Sequence, residues 1–417
     1  MYKGYTVQPD LYDILLRFRT FKYVITSDIE KMYRQVRINP KHTYLHNILW
    51  REKPCEKLQC IELLTVTYGT NCAPYLATRV LKELAVINQK TFPLASNALL
   101  SQCYVDDILC GQDSYENLVE LHRQLMQLCK LGNFHLHKWC SNSNSLLNNI
   151  NHSHKSDISQ ENYDIKVDGI SNKVLGIFWN PNLDVFSISL PIPSEEKQVT
   201  KREVLSKITQ MFDPLGLIGP VIVIGKLMMQ EIWKTKIDWD DFLEEDILIN
   251  WKSYIHDMAL LKSLKIPRFI LLADKPISLE LHGFSDASQK AYGACVYIRA
   301  SYPNEKVSCF LITSKSRVAP IREITIPRLE LCGAHLLSTL ITKVRSVLIE
   351  RLSFDSVNLW TDSEIVLAWL HSYPSRFQVF VSNRISQIQT LTQDCKWRYV
   401  SSKENPADLL SRGISPA

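Results

Sequence analysis

The stretch Gln102-Cys103-Tyr104-Val105-Asp106-Asp107-Ile108-Leu109-Cys110-Gly111 places two adjacent carboxylates inside an apolar, β-branched and aromatic run. Such a run has the composition of a buried strand, and a buried strand does not keep two acids without a counter-charge. Neighbouring strand side chains point to opposite faces, so Asp106 and Asp107 share one cation only if the backbone turns between or just after them. Gly111 and the following Gln112-Asp113-Ser114 are turn-forming residues, and the turn is expected there. An aspartate pair at a hairpin tip is a seat for a divalent metal. The plainer alternative is a solvated turn.

A second acid in similar surroundings separates the two readings. Asp28 ends the strand-like stretch Phe21 to Ser27, and Tyr33 and Val36 follow it in the order Asp-Ile-Glu-Lys-Met-Tyr-Arg-Gln-Val. With Tyr104 to Asp107, this resembles the palm of a reverse transcriptase. Ser27 to Val36, Thr65 to Leu76, Arg328 to Ala334 and Asn405 to Gly413 together resemble the Pol polyprotein of BEL/Pao long-terminal-repeat retrotransposons. The motifs occur in the family's order, which chance matches to short strings would not supply.

The resemblance implies that Asp28, Asp106 and Asp107 are catalytic and hold metal. It implies that Tyr33 packs under the sugar and excludes a 2′-hydroxyl, and that Tyr68, Gly69 and Pro74 position template and incoming nucleotide. From spacing alone, Tyr33 is equally an ordinary core tyrosine. Tyr68 and Ala73 stand where retroviral relatives usually have glutamine and serine. Thr65 to Pro74 reads as a strand entering a turn, with a helix over Tyr75 to Leu84. Val174 to Trp179 resembles the hairpin that holds a primer end. Lys31, Arg34 and Arg37 put positive charge beyond Asp28, facing phosphate or merely solvated.

Other elements follow from periodicity. Leu11, Ile14, Leu15 and Phe18 mark a short helix, and Tyr115 to Leu131 is amphipathic and stops at Gly132. Ser141 to Gly169 reads as a loop. Lys197 to about Ile266 reads as helical, broken at Asp213-Pro214-Leu215-Gly216, and by position it looks like the thumb and connection. Its Trp233, Trp239 and Trp251 are expected in a core.

Beyond Pro276 the pattern becomes three strands, near Leu279 to Phe284, Gly293 to Arg299 and Val307 to Thr313. A long helix from Pro327 and then alternating strands and helices follow, which suggests an α/β domain. Four acids are spread through it: Asp286, Glu330, Asp362 and Asp408. Capping accounts for each alone, with Thr361 and Glu364 as a capping box beside Asp362, and Asn405 with Pro406 before Asp408. It does not account for their order, on strand, helix, strand end and helix start, which is the order seen in ribonuclease H. The resemblance therefore assigns all four to a second catalytic metal site. It also implies a mobile histidine before the last acid, and Ser401-Ser402-Lys403-Glu404 offers only Lys403 there.

The implied cofactor is Mg²⁺, two ions per active site about 3.5 to 4 Å apart, with Mn²⁺ as a substitute, because hard cations prefer carboxylate oxygen. The implied partners are RNA template, DNA primer, RNA/DNA hybrid and dNTPs. The chain's 417 residues suit several domains: a reverse-transcriptase palm with partial fingers over 1–180, a mostly helical thumb or connection over 181–275, and a ribonuclease H-like domain over 276–417. The fold class expected is thus multidomain α+β and α/β. Only 27 residues precede Asp28, so the fingers are expected to be truncated and polymerisation weak.

Composition supports a soluble globular protein, 46% hydrophobic and 22% charged, with a net charge of +5 that permits nucleic-acid binding without requiring it. The apolar run Leu215 to Gly225 is shorter than the ~20 residues that span a bilayer, so no membrane partner is expected, and Met1 to Gly4 opens no signal peptide. Eleven unpaired-looking cysteines are expected to be reduced core residues of an intracellular protein, cytoplasmic in a retroelement particle with access to the nucleus. Two rival readings remain: a catalytically impaired, nucleic-acid-binding retroelement relic with residual hybrid nuclease activity, and a zinc adaptor built on Cys129, His135, His137 and Cys140. The spacing of those four matches no zinc pattern, and the histidines alternate with Phe134, Leu136 and Trp139 as strand residues do.

Overall fold

The computed structural model describes residues 2–150, 172–188, 190, 198–272 and 275–416. It divides into two compact units, residues 1–175 with 180–184, and residues 176–179 with 185–417. The expected loop over Ser141 to Gly169 lies largely outside the described residues.

The first unit runs α1 (Leu11–Phe18), β1 (Tyr23–Ile29), α2 (Met32–Gln35), β2 (Asn47–Trp50), β3 (Gln59–Glu62), α3 (Ala73–Ile87), α4 (Pro93–Ser101), β4 (Cys103–Tyr104), β5 (Asp107–Gln112), α5 (Tyr115–Leu131), β6 (Leu136–Ser141), α6 (Asn144–Asn149) and β7 (Asn172–Val174). Its sheet has the order β4-β5-β1-β6, with β1 antiparallel to both neighbours. α5 forms where the apolar spacing places it: Ser114 accepts from Asn117 N at its start, and Leu118, Leu121, Leu125, Leu128 and Cys129 are buried along one face. They join Ile25, Ile29, Ile108 and Trp139 in one core.

Three expectations fail here. Thr65 and Val66 form no strand; Thr65 makes an isolated bridge to Arg37, and α3 begins at Ala73, two residues earlier than the spacing suggests. Asn144–Asn149 is a short helix inside the expected loop. The turn of the aspartate hairpin lies at Val105–Asp106, not after Gly111, which sits within β5.

The second unit contains all but the last residue of β8 (Ile177–Asn180), then β9 (Val185–Ser187), α7 (Lys201–Gln210), α8 (Gly219–Thr235), α9 (Glu245–Asp257) and β10 (Ile266–Pro267). It continues with β11 (Ser278–Ala287), β12 (Ala291–Ser301), β13 (Val307–Val318), α10 (Ile326–Leu348), β14 (Ser356–Thr361), α11 (Glu364–Leu370), α12 (Val379–Leu391), β15 (Lys396–Tyr399) and α13 (Asp408–Arg412). The five-stranded sheet has the order β13-β12-β11-β14-β15. The first three strands are antiparallel, whereas β14 runs parallel to β11 and β15 parallel to β14. Parallel pairing needs crossovers, and α10 and the α11–α12 segment supply them.

The helical segment packs against this sheet within the same unit, and its latch is the break read from the sequence. Asp213 accepts from the amides of Leu217 and Ile218, both at 2.8 Å, which closes the Asp213-Pro214-Leu215-Gly216 loop on itself. Leu215 O then accepts from Ser314 N at 2.9 Å and Thr313 Oγ1 at 2.7 Å, and Gly216 O accepts from Ser314 Oγ. The loop thus covers backbone on the edge strand β13, which would otherwise be open to pairing.

Of the three tryptophans, Trp251 is buried in the helical core. Trp233 and Trp239 are not; 48% and 37% exposed, they lie edge to face around Lys201, whose Nζ sits 3.9 and 5.2 Å from their centroids and donates to Ile237 O. A buried ammonium is held there by ring faces and a carbonyl. The cysteines also depart in part from expectation, since Cys55, Cys60 and Cys309 are exposed.

Candidate active sites

In the first unit the aspartate pair sits on a two-residue hairpin, in which Tyr104 pairs with Asp107 and Val105 and Asp106 form the tip. Val105 has φ +55°, a conformation that a β-branched residue adopts only under strain. Such strain persists where surrounding structure enforces it, often at functional sites. Ile29 N donates to Asp106 O at 2.9 Å, which ties the tip to the end of β1. Asp28 is the direct cross-strand partner of Asp107. The three acids are thereby gathered at one end of the sheet.

Their electrostatics record the crowding. Asp107 is pushed up to about 6, first by burial and then by the charges of Asp106 and Asp28. Asp106 is also raised, chiefly by burial, with Asp28 adding to it and Lys138 opposing.

Sequence reasoning missed two neighbours of Asp28. A bulge in β6 places one extra residue opposite β1 between Thr26 and Asp28, and Lys138 takes φ +55° there. His137 Nε2 then lies 2.5 Å from Asp28 Oδ1, and Lys138 Nζ lies 3.6 Å from Oδ2. A bulge leaves no sequence signature in Leu136-His137-Lys138-Trp139. Of the other residues of the zinc reading, Cys129 and Cys140 are buried in the first unit.

Tyr33 is partly buried against the core, and its ring stands edge to face on Tyr68 at 4.9 Å. Burial raises its hydroxyl's pKa, with further contributions from Asp106 and Tyr68, so these three side chains share one neighbourhood. Tyr68 is 56% exposed, Gly69 has φ +84° with open space around it, and Pro74 lies in the first turn of α3.

The second unit brings together acids from four elements. Asp286 is the penultimate residue of β11, Glu330 lies just past the first turn of α10, Asp362 follows the last residue of β14, and Asp408 opens α13. Gly333 lets α10 close on β11, for a Cβ there would lie 3.1 Å from Asp286 O. Asp286 is raised to about 6, first by burial, with Asp362 and Asp408 adding to it and Ser411 opposing. Glu330 is raised too, by burial and then by Asp362, against a hydrogen bond from Ser363.

Each acid is oriented by a donor that the sequence did not reveal. Ser411 Oγ donates to Asp286 Oδ2, Ser363 Oγ to Glu330 Oε2 at 2.5 Å, Ser402 Oγ to Asp362 Oδ2 at 2.6 Å, and Arg412 Nε to Asp408 Oδ1 at 2.6 Å. The capping alternatives resolve differently from expectation. Ser363, not Thr361, caps α11 by accepting from Val366 N, which leaves Asp362 outside the helix. Asn405 accepts from Ala407 N and donates to Ser285 O, so it fastens the α13 turn to the strand that carries Asp286. The segment before Asp408 reaches Asp362 through Ser402, whereas Lys403 is exposed.

Among the described residues, no three His, Cys, Asp or Glu side chains are already posed around one point as for a bound ion. The donor sets still suit Mg²⁺: both are carboxylate oxygens, and in each the neighbouring acids help raise Asp107 or Asp286, an excess of negative charge that a divalent cation would offset.

No curated protein matches the chain. Among solved structures, a foamy viral protease-reverse transcriptase in complex with an RNA/DNA hybrid is similar, at 14% identity and a TM-score of 0.51 over 98% of this chain and 48% of that one. A second foamy viral protease-reverse transcriptase structure, the dRH form with double-stranded DNA, gives the same identity and TM-score over 97% of this chain and 60% of that one. The chain therefore spans about half the length of the first of these and three fifths of the second. At that identity the likeness is one of fold, a mixed α and β fold like that of retroviral reverse transcriptase structures. Residues 200–363 match the family model described as the Pao retrotransposon-like RNaseH-like domain, which bears out the resemblance to the Pol of BEL/Pao retrotransposons that the motifs carry.

Proposed function

We propose that this chain is the reverse transcriptase and ribonuclease H region of a retroelement Pol, acting as a nuclease on the RNA strand of RNA/DNA hybrids and, in its first unit, as an RNA-directed DNA polymerase. The observation that carries the reading is the convergence of Asp286, Glu330, Asp362 and Asp408 from four elements of a β13-β12-β11-β14-β15 sheet. Asp28, Asp106 and Asp107 would hold Mg²⁺ in the first unit and those four acids in the second. Bound there, the ions would stabilise the attacking and leaving oxygens of an in-line phosphoryl displacement. The protein's own part is positioning: Ser363, Ser402, Ser411 and Arg412 fix carboxylate orientation before substrate arrives. RNA template, DNA primer, hybrid and dNTPs are the proposed partners, and the cytoplasm, with access to the nucleus, the proposed location.

A second reading, an impaired polymerase with a working hybrid nuclease, is favoured by the first unit. His137 and Lys138 lie against the two carboxylate oxygens of Asp28, where they would compete with a metal. The β2–β3 hairpin also exposes every residue of both strands, including Leu49 at 70% and Trp50 at 55%, so it supplies no packed wall for a nucleotide. Phosphoryl transfer depends on positioning, so weak or undetectable primer extension is expected beside measurable Mg²⁺-dependent hybrid cleavage. The test measures both activities in the intact chain and in Asp106→Asn. Cleavage should survive the substitution while any extension disappears. Equal loss of both would sink the two-site reading, and robust extension on a long template would sink the impairment.

Tyr33 has its own expectation. If the ring beside Tyr68 and Asp106 gates the sugar, Tyr33→Ala raises ribonucleotide incorporation relative to deoxyribonucleotide on the order of tenfold or more, a difference of about 1.4 kcal/mol. Single-nucleotide incorporation assays would report it, and unchanged selectivity would return Tyr33 to the core.

A further inference from the structure

The sheet face that carries Asp286 also holds a chain of hydrogen bonds that the nuclease reading leaves without a role. Along β11, Glu280, His282, Phe284 and Asp286 alternate onto one face, and Trp360 joins them from β14 as the direct partner of Phe284, two residues before Asp362. Trp360 Nε1 donates to His282 Nδ1 at 3.1 Å, and His282 Nε2 lies 3.3 Å from Glu280 Oε2. An indole N–H only donates, so Nδ1 is the accepting nitrogen and the imidazole proton sits on Nε2, facing the carboxylate. Glu280 is held in turn. Arg299 Nη1 donates to its Oε2 at 2.8 Å and Ser356 Oγ to its Oε1 at 3.2 Å. Burial works against ionisation of Glu280, but the hydrogen bonds from His282, Arg299 and Ser356 outweigh it and hold the carboxyl below its usual pKa.

Packing extends this chain toward the acids. The Trp360 ring lies nearly parallel to those of His282 and Phe284, at 14° and 12°, with centroids 6.1 Å apart in both pairs, and the Arg398 guanidinium from β15 stands 5.7 Å from its centroid. Phe284 packs against the cluster of Cys295, Ala407 and Leu410, and Ala407 and Leu410 flank Asp408 in the chain. The indole therefore joins β11, β14 and, through Phe284, the start of α13, the three elements that carry Asp286, Asp362 and Asp408. Cross-strand stacking alone asks for no polar order, and a phenylalanine would supply it. Here the orientation of the ring is set by a hydrogen bond whose acceptor is itself fixed by an ionised carboxylate.

We propose that His282 is a positioning residue of the nuclease site: held by Glu280 with its proton on Nε2, it fixes Trp360 through Nδ1, and Trp360 fixes the end of β14 that Asp362 follows. The inference rests on the nuclease reading above. It assigns neither His282 nor Trp360 a contact with substrate. Displacing a reacting group by about 1 Å costs on the order of 100-fold, so the effect falls on turnover and leaves hybrid affinity alone.

The test compares His282→Leu, His282→Gln, Trp360→Phe and His282→Leu/Trp360→Phe in the full chain. His282→Leu leaves the indole without an acceptor and should lower kcat for hybrid cleavage on the order of tenfold or more, with KM within about twofold of the parent. Gln offers the indole an amide oxygen, so His282→Gln should return kcat to within about threefold. Trp360→Phe should lose about as much as His282→Leu, and the double variant no more than either, because both remove one bond. Trp360→Phe keeps a stacked ring and carries the comparison if His282→Leu does not fold. A readout apart from activity is the Trp360 indole N–H signal in isotope-labelled chain in EDTA, identified by its loss in Trp360→Phe. It should shift and exchange faster with water in His282→Leu and stay near the parent's in His282→Gln. Additive losses in the double variant, equal losses for Leu and Gln, or parent kcat in Trp360→Phe would overturn the proposal by returning the pair to ordinary packing. Absence of hybrid cleavage by the parent chain would instead remove the nuclease reading, while the indole signal would still report the bond.

Discussion

Replacing Asp286 by Asn should abolish cleavage of RNA in a hybrid, by about three orders of magnitude or more, without lowering the melting temperature in metal-free buffer. The first half follows from the role assigned to the carboxylate, since a loss of that size is about 4 kcal/mol of barrier. The second half follows from charge. Burial and the neighbouring Asp362 and Asp408 hold Asp286 at about 6, above the unfolded value of about 3.9. An acid raised in this way binds its proton more tightly when folded. Its contribution to stability therefore falls as pH rises from about 4 through about 6, and the full penalty is present at neutral pH. Asparagine removes the charge and still offers an oxygen to Ser411 Oγ. Thermal unfolding of both forms in EDTA at pH 7 would report it. A fall of several degrees in the Asn variant would show that the carboxylate is structural.

The largest stability effect is expected at Gly216. Its φ of +70° disfavours any side chain, and a Cβ would run into the backbone carbonyl of Ser314, which cannot swing aside as a flexible side chain would. Left-handed strain of about 1 to 2 kcal/mol and a backbone clash of about 1 to 3 kcal/mol add to roughly 2 to 5 kcal/mol for Gly216→Ala. For a cooperative unit of this size, each kcal/mol lowers Tm by about 2 to 4 °C, so a fall of roughly 4 to 20 °C is expected. A Tm within about 2 °C of the parent would mean that the Asp213–Gly216 loop does not latch the helical segment to β13.

Much of the scaffold was legible because it depends on local chemistry. α5 coincides with the predicted Tyr115 to Leu131, since its apolar spacing, its Ser114 cap and Gly132 all lie within one short segment. α10 begins within a residue of Pro327 for the same reason. The hairpin turn was misplaced because turn chemistry points to Gly111, whereas the chain turns at Val105 against the preference of a β-branched residue. No local rule anticipates a residue held in a strained conformation by its surroundings.

The acids were legible for their order along the chain, and their partners were not. Ser411 is 125 residues from Asp286, and Ser402 is 40 from Asp362, so these bonds exist only once the chain has folded. Serines are common and carry no period, which leaves nothing in the sequence to mark them. The same holds for His137 and Lys138, turned onto Asp28 by a bulge more than a hundred residues downstream. Trp233 and Trp239 were assigned to a core on composition, yet both rings stay partly exposed beside the buried ammonium of Lys201.

The most direct measurement supplies the intact chain and Asp362→Asn, in Mg²⁺, with the same end-labelled RNA presented in a hybrid, as single strand and as duplex RNA, and with duplex DNA of the same sequence. The expected result is fragmentation of RNA in the hybrid alone, by the intact chain alone, abolished by EDTA. Equal fragmentation by Asp362→Asn, or no fragmentation of the hybrid by the intact chain, would contradict the assignment of Asp286, Glu330, Asp362 and Asp408 as a hybrid nuclease site.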